Sequence, residues 1–158
     1  MTLTLDTDHI RNGLILEGHG GKERLLEMAF KGGVQRVNHS LFDFCIDGIR
    51  VEVKRQQDVN WFDYGKYHNL SDADGKIIVV FFLHKNSRVR KVAGITLRSF
   101  IELCCSDARC IADGWTYDAM AEVHKLKLRH PSLQSKAKAQ VDRLINAYPD
   151  RFTLYYET

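Results

Sequence analysis

The stretch LFDFCIDGIRVEVK, residues 41–54, decides the fold because it predicts a two-stranded hairpin. Asp47 and Gly48 lie at its centre and form a favoured two-residue turn, since both positions tolerate the positive φ that such a turn requires. This turn determines which residues oppose each other on the two strands. The predicted pairs are Ile46 with Ile49, Cys45 with Arg50, Phe44 with Val51, and Asp43 with Glu52.

The two faces of this hairpin differ in chemistry, because side chains alternate between the faces of a strand. The face predicted to be buried holds Phe42, Phe44, Ile46, Ile49, Val51 and Val53. The other face holds Leu41, Asp43, Cys45, Arg50, Glu52 and Lys54. Opposed carboxylates repel each other unless a cation lies between them, so we expect a divalent metal beside Asp43 and Glu52. The alternative, a solvated face with ordinary cross-strand ion pairs, leaves the opposed carboxylates unexplained.

The elements predicted around the hairpin follow the order helix, three strands, helix, strand. They are a helix over 21–31, a short strand over 34–37, the two hairpin strands, a helix over 58–68 and a strand over 76–83. The last of these, KIIVVFFL, is an unbroken apolar run, which is typical of a central strand covered on both faces. Trp61 and Phe62, on the second predicted helix, are expected to pack over the sheet.

Asp43, followed after eight residues by Glu52, Val53 and Lys54, resembles the signature of the PD-(D/E)xK nuclease superfamily. Phe42 stands where the motif's name has Pro. The αβββαβ order over about residues 20–84 is similar to the superfamily's common core. The resemblance implies an α/β (α+β) fold with a restriction-endonuclease-like core, a mixed central sheet and extra C-terminal helices. It favours a single nuclease-like domain over 1–158, with a helical extension over about 96–148.

The resemblance also implies a role for each residue of the motif. Asp43 and Glu52 would supply carboxylate ligands to Mg²⁺, for which Mn²⁺ can substitute, and the carbonyl of Val53 would add a backbone ligand. Lys54 would lie beside the attacking water and the phosphate. These residues are therefore our candidates for the catalytic centre.

Two further candidates extend this centre. Family members often contribute an acidic residue from the first helix, and Glu23 is the better candidate here, with Glu27 as the alternative. Either is equally well read as a solvated helix residue. Gln56 falls on the same strand face as Lys54 and could contact metal-bound water or a phosphate.

The charge pattern points to nucleic acid. The formal net charge is only +3, but residues 84–100 and 125–138 are rich in Lys and Arg and contain no acidic residue. Such residues bind phosphate backbones, although basic runs are also common on solvated helix faces. The predicted DNA contacts are Lys66, Lys85, Arg88, Arg90, Lys91, Lys125, Lys136 and Lys138. Other residues of the second predicted helix, Trp61, Tyr64, Tyr67 and His68, could also approach DNA through stacking or phosphate contacts, although core packing is favoured for Trp61.

The rest of the chain predicts elements without assigned chemistry. They are a helix over 3–16, a strand over 88–95, a helix capped by Thr96 and ending near 105, helices over 115–128 and 132–148, and an edge strand over 152–157. A zinc cluster is disfavoured because no C-x-x-C pair is present, so Cys104, Cys105 and Cys110 are interpreted as buried helix residues. Cys45 is interpreted as a small filler beside the site.

Together these patterns predict a Mg²⁺-dependent DNA endonuclease that acts as a homodimer on duplex or branched DNA, as a junction resolvase or a restriction or homing endonuclease. The alternative is a non-catalytic nucleic-acid-binding module, and an RNA substrate stays open. The apolar run over 77–83 is far shorter than the ~20 residues of a membrane span. Asp6 and Asp8 replace the basic start of a signal peptide. We therefore expect a cytoplasmic protein of a bacterial, archaeal or phage-infected cell.

Overall fold

A computed structural model of the chain describes residues 3–13, 21–56, 59–86 and 88–157. The helices are α1 (Thr7–Gly13), α2 (Lys22–Ala29), α3 (Asp72–Gly75), α4 (Leu97–Cys104), α5 (Ala108–Ala112), α6 (Tyr117–Arg129) and α7 (Val141–Ala147). The strands are β1 (Val34–Arg36), β2 (Phe44–Ile46), β3 (Ile49–Gln56), β4 (Asn60–Asp63), β5 (Ile78–Lys85), β6 (Arg88–Thr96), β7 (Lys136–Ala139) and β8 (Leu154–Glu157). Two 3-10 helices cover Tyr64–Tyr67 and Pro149–Arg151. The predicted mixed α/β class is confirmed.

In the part of the chain that is described, six strands form one sheet in the order β1-β2-β3-β5-β6-β8. Strand β3 is parallel to β5, and the other neighbours are antiparallel, so the sheet is mixed as predicted. The edge strand predicted over 152–157 is β8, which closes one edge of the sheet beside β6. Among the described residues, no helix is both long and apolar enough to cross a membrane.

The predicted hairpin is confirmed with its turn and its register. Asp47 and Gly48 have φ of 49° and 83°, as a two-residue turn of this kind requires. Ile46, Cys45 and Phe44 pair with Ile49, Arg50 and Val51. The ladder ends at Phe44, one residue before the predicted pair of Asp43 and Glu52.

The sheet is covered on both faces. Helices α1 and α2 pack on one face against β2, β3 and the even-numbered side chains of β5, and these residues form the first core. Helices α4 and α7 pack with β4 and β7 on the other face and form the second core. Phe42 was predicted to share a face with Phe44, and this is wrong. Phe42 belongs to the second core and lies under the guanidinium of Arg50, because the regular alternation stops where β2 begins.

The helix predicted over 58–68 is wrong within the described residues, and its first residue, Asp58, lies outside them. Asn60–Asp63 is strand β4, followed by the 3-10 helix Tyr64–Tyr67. Its partner is β7, so the helix predicted over 132–148 is also wrong in its first half. Burial alternates with period two in both strands, and this cross-chain pairing overrides the local helical pattern. Trp61 therefore lies at the surface, whereas Phe62 is buried as expected.

Other predicted elements are confirmed with small changes of boundary. Helix α2 buries Leu25, Leu26, Met28 and Ala29. The Thr96 hydroxyl accepts the Ser99 N–H at 3.2 Å and caps α4. The helix predicted over 3–16 corresponds to α1, which begins at Thr7, and residues 14–16 lie outside the described part of the chain. Cys104 and Cys110 are buried, Cys105 and Cys45 are half-buried, and all four are free thiols.

Candidate active site

The candidate site lies where strand β2 ends beside the longer strand β3. Asp43 remains held between both neighbouring strands: its carbonyl accepts the Val37 N–H at 2.8 Å, and its N–H donates to the Val51 carbonyl at 3.3 Å. Beyond Val51, strand β3 continues to Gln56 without β2 beside it. We call the gap that begins beside β3 where β2 ends the notch. Asp43 lies at the start of this notch, next to the strand that carries Glu52 and Lys54.

Glu52 and Lys54 project from β3 on the face of the second core and are half-buried. Their register partners on β5 are Val79 and Phe81, both fully enclosed in that core. The Lys54 Nζ atom lies 5.1 Å from the centroid of the Phe62 ring. The two charged groups therefore sit at the rim of an apolar layer, where water is scarce.

This environment shifts the pKa values of both Glu52 and Lys54. Burial raises the pKa of the Glu52 carboxyl; the Lys54 charge opposes that rise, and the negative charge of Asp43 adds to it. Burial lowers the pKa of the Lys54 ammonium, although Glu52 and Asp43 both pull it upward. Asp43 thus acts electrostatically on both, and the structure brings the three residues of the motif together.

The backbone of Val53 contributes to the same notch. Its N–H donates to Glu52 Oε1 at 2.9 Å, while its side chain is buried on the opposite face. The N–H and C=O of a residue in an extended strand point to the same edge. The carbonyl of Val53 therefore faces the edge that β2 leaves open, as a third oxygen beside the two carboxylates.

These oxygens can be tested as a cation site by their chemistry. Among the described residues, no group of three or more His, Cys, Asp and Glu side chains could hold a metal ion. Mg²⁺ nevertheless commonly takes only one or two carboxylates and completes its shell with water and substrate oxygens. Two carboxylates, of which Asp43 raises the pKa of Glu52, lie beside an open carbonyl and fit that requirement.

Two residues beside the notch carry no motif signal. Lys22 begins α2, and its positive charge lowers the pKa of both Glu52 and Lys54. Tyr67 ends the 3-10 helix, and burial together with the charge of Glu52 raises the pKa of its phenol. The spacing of residues in the sequence could not identify either position, because Lys22 and Tyr67 belong to separate elements that pack beside the notch.

The accessory candidates of the first helix have other partners. Glu23 forms an ion pair of 3.8 Å with Arg36 on β1, and Glu27 one of 3.5 Å with Arg24 on its own helix. Gln56 is the last residue of β3, and its side chain lies outside the described residues. Their catalytic roles stay predictions.

The predicted DNA contacts are spread over several elements. Lys66 lies 3.7 Å from Asp63, and its charge lowers the pKa of Lys54, so it lies near the notch. Lys91 is mostly covered and forms a 2.5 Å ion pair with Asp142. The remaining candidates with exposed side chains are Lys85 and Arg88 at the β5–β6 turn, Arg90 on β6, Lys125 on α6, and Lys136 and Lys138 on β7.

The chain matches no protein-family model. It likewise matches no curated protein and no solved structure. What the site can do is therefore judged from its residues and from the chemistry that they permit.

Proposed function

We propose that the chain is a Mg²⁺-dependent DNA endonuclease with a restriction-endonuclease-like core. The observation that carries the proposal is the convergence of Asp43, Glu52 and a half-buried Lys54 at the open end of β3. The order of α2, three strands and then β5 parallel to β3 supports the same reading. The pKa values of the half-buried Glu52 and Lys54 are both shifted by burial, and such shifted groups cluster at functional sites.

Each residue of the site has a role in this proposal. Asp43, Glu52 and the Val53 carbonyl would hold the ion, which when bound supplies charge neutralisation at the phosphate and a more acidic water. Lys54 would orient the attacking water and accept its proton, because its lowered pKa leaves it neutral more often than an exposed lysine. Lys22 and Lys66 would add positive charge for the phosphate backbone.

A homodimer is part of the proposal. One site cuts one strand, so a chain of this size would need a second copy to cut both strands of a duplex or of a junction. Two-fold symmetry of the pair would then match that of the DNA. We also propose a cytoplasmic location, because the proposed substrate is DNA.

The test is cleavage by the purified full chain. Supercoiled plasmid and a synthetic four-way junction are incubated with Mg²⁺ or EDTA, using wild type, Asp43→Asn and Lys54→Ala. We expect cleavage only with Mg²⁺, and a loss of at least about 100-fold in each variant. Glu102→Gln and Lys31→Ala, which change exposed residues, serve as controls and should cut like wild type.

A second candidate is a nucleic-acid-binding module without cleavage, favoured by the absence of a third acidic ligand among the described residues. Metal-independent binding of the same substrates, with no nicking at any Mg²⁺ or Mn²⁺ concentration, would establish that candidate and reject the nuclease.

A further inference from the structure

The β4–β7 ribbon presents a face that the proposed chemistry does not use. Its antiparallel register pairs Trp61 with Lys138 and Asp63 with Lys136. Alternation places these four side chains outward, because Asn60, Phe62, Ala137 and Ala139 are buried beneath them. Directly opposed residues on a ribbon lie close enough for their side chains to touch.

Trp61 is exposed to an unusual degree. Its side chain is 51% accessible, whereas Trp115, the other tryptophan of the chain, is completely buried. Nothing in the packing of β4 requires an indole there, since the core position of that strand belongs to Phe62. An exposed flat ring beside a lysine is a surface on which a nucleobase can stack while its phosphates meet the positive charge.

The charge of this face is suited to phosphate. Its one carboxylate, Asp63, accepts hydrogen bonds from Lys127 and Ser135 at 2.6 Å each and lies 3.7 Å from Lys66. Burial alone would raise the pKa of Asp63, but these contacts outweigh it, so the pKa is lowered and the positive partners offset the charge of the carboxylate. Lys136 and Lys138 are exposed on the same face. The ribbon is therefore positive around the indole.

The ribbon also adjoins the candidate active site. Phe62, between Trp61 and Asp63 in sequence, turns its ring to the Lys54 ammonium on the inner side. Lys66 lies 3.7 Å from Asp63, which is the last residue of the strand that carries Phe62. The strand that carries Trp61 therefore contacts the candidate catalytic lysine through its inner face.

We propose that this face binds single-stranded DNA, with one unpaired base stacked on Trp61 and the flanking phosphates held by Lys136 and Lys138. The inference rests on the proposed function and narrows its substrate to DNA with an unpaired segment, such as a flap, a bubble or a branch point. A base in the interior of a duplex cannot stack on Trp61 unless it is first unpaired.

The test is binding in EDTA, so that it does not depend on cleavage. Oligothymidine and a blunt duplex are titrated into the full chain while tryptophan fluorescence is followed, and Trp61 dominates any quenching because Trp115 is buried. We expect quenching by oligothymidine and much less by the duplex. Labelled oligothymidine should bind Trp61→Ala roughly 5- to 150-fold more weakly, with Trp61→Phe retaining most of the affinity.

Matched variants separate stacking from charge and from folding. Tyr117→Ala removes an aromatic that is 56% exposed on α6 and should bind like wild type. Lys138→Ala should weaken binding and reduce the salt slope by about one, whereas Lys31→Ala should not. Oligouridine tests whether the same face accepts RNA; tighter binding of RNA than of DNA would overturn the assignment to DNA.

Three results would reject the proposal. They are equal affinity of Trp61→Ala and wild type for oligothymidine, equal quenching by duplex and single strand, and a Trp61-dependent dimer in sedimentation that masks the face. Because these readouts are taken without metal, inactivity of the nuclease leaves them unaffected.

Discussion

The ammonium of Lys54 lies 5.1 Å from the centroid of the Phe62 ring, so the candidate catalytic lysine of β3 makes a cation–π contact with a residue of β4. A cation over an aromatic face gains about 0.5–2 kcal/mol, more where water is excluded. This contact partly offsets the desolvation that lowers the pKa of Lys54. The chemistry of the notch therefore depends on the ribbon beside it.

Replacing the ring should move the proton affinity of Lys54. In Phe62→Leu the apolar surroundings persist but the electron-rich face is lost, so we expect the pKa of Lys54 to fall further. NMR titration of the lysine side chains measures the change. Phe100→Leu, which alters the same aromatic cluster, should lower stability without that shift. An equal shift in both variants would contradict a role of the ring.

The pair Glu52 and Lys54 should cost the protein stability. Glu52 has a folded pKa above its ordinary value, so its contribution to stability is lost as pH rises from the ordinary pKa through the folded one. At neutral pH we therefore expect Glu52→Gln with Lys54→Met to raise the free energy of unfolding by about 1 kcal/mol or more while abolishing cleavage. Urea unfolding measures this.

The matched control for that double variant is Glu102→Gln with Lys31→Met, which changes exposed charges and should stay within about 0.5 kcal/mol of wild type. A marked loss of stability in Glu52→Gln with Lys54→Met would instead identify the pair as a structural salt bridge.

Mg²⁺ should stabilise the folded chain through the same notch. At a concentration of about one hundred times Kd, linkage predicts a gain of about 2.7 kcal/mol, seen as a rise in Tm. The gain should shrink as pH falls, because protons compete for Glu52, whose pKa is raised. Asp43→Asn should remove most of it. A Tm shift of unchanged size in Asp43→Asn would place the ion elsewhere.

Asp107 should be an anchor of the helical layer. Its buried carboxylate accepts two hydrogen bonds from Arg143, at 2.6 and 3.1 Å, and one from Tyr148 at 2.8 Å. These partners, Arg143 first, hold the pKa of Asp107 well below its usual range. The stability that it contributes is thus present above the ordinary pKa and lost as pH falls through the folded one.

We expect Asp107→Ala to cost about 3 kcal/mol at neutral pH, since it leaves the guanidinium without its buried partner. Calorimetry over a pH series checks this: the difference from wild type should narrow in strong acid. A difference independent of pH would show that packing, not charge, holds this position.

Gly32 should be irreplaceable at the junction of α2 and the hairpin. Its φ is +113°, and the Asp47 carboxylate, which accepts the Gly33 N–H at 3.2 Å, occupies the space of a Cβ. Gly32→Ala should cost about 1–3 kcal/mol in chemical denaturation. Gly33→Ala, where a methyl group meets no atom within 4 Å and φ is not positive, is the control and should be nearly neutral.

Local signals in the sequence were sufficient for the hairpin and for the six-stranded sheet's centre. Asp47 and Gly48 determine the turn, and from the turn follow the pairs up to Phe44. The apolar run of β5 and the Thr96 cap were equally readable, because their causes lie within a few residues.

The β4–β7 ribbon could not be predicted in the same way. Lys and Ala, which make up β7, have little preference for strands, and its alternation gains meaning only when β4 lies beside it. Such long-range packing determines that Lys54 contacts the Phe62 ring, that Trp61 is exposed, and that Lys22 lies near Glu52. The motif residues were therefore identified from sequence, but their surroundings were not.

The ribbon joins segments that are separated by almost half the chain. During translation Asp43, Glu52 and Lys54 leave the ribosome long before β7 exists to hold β4 in place. A nascent chain therefore carries the charged trio without the aromatic support of its lysine. Under the proposed function, the lysine would gain its aromatic support only once β7 has been synthesised.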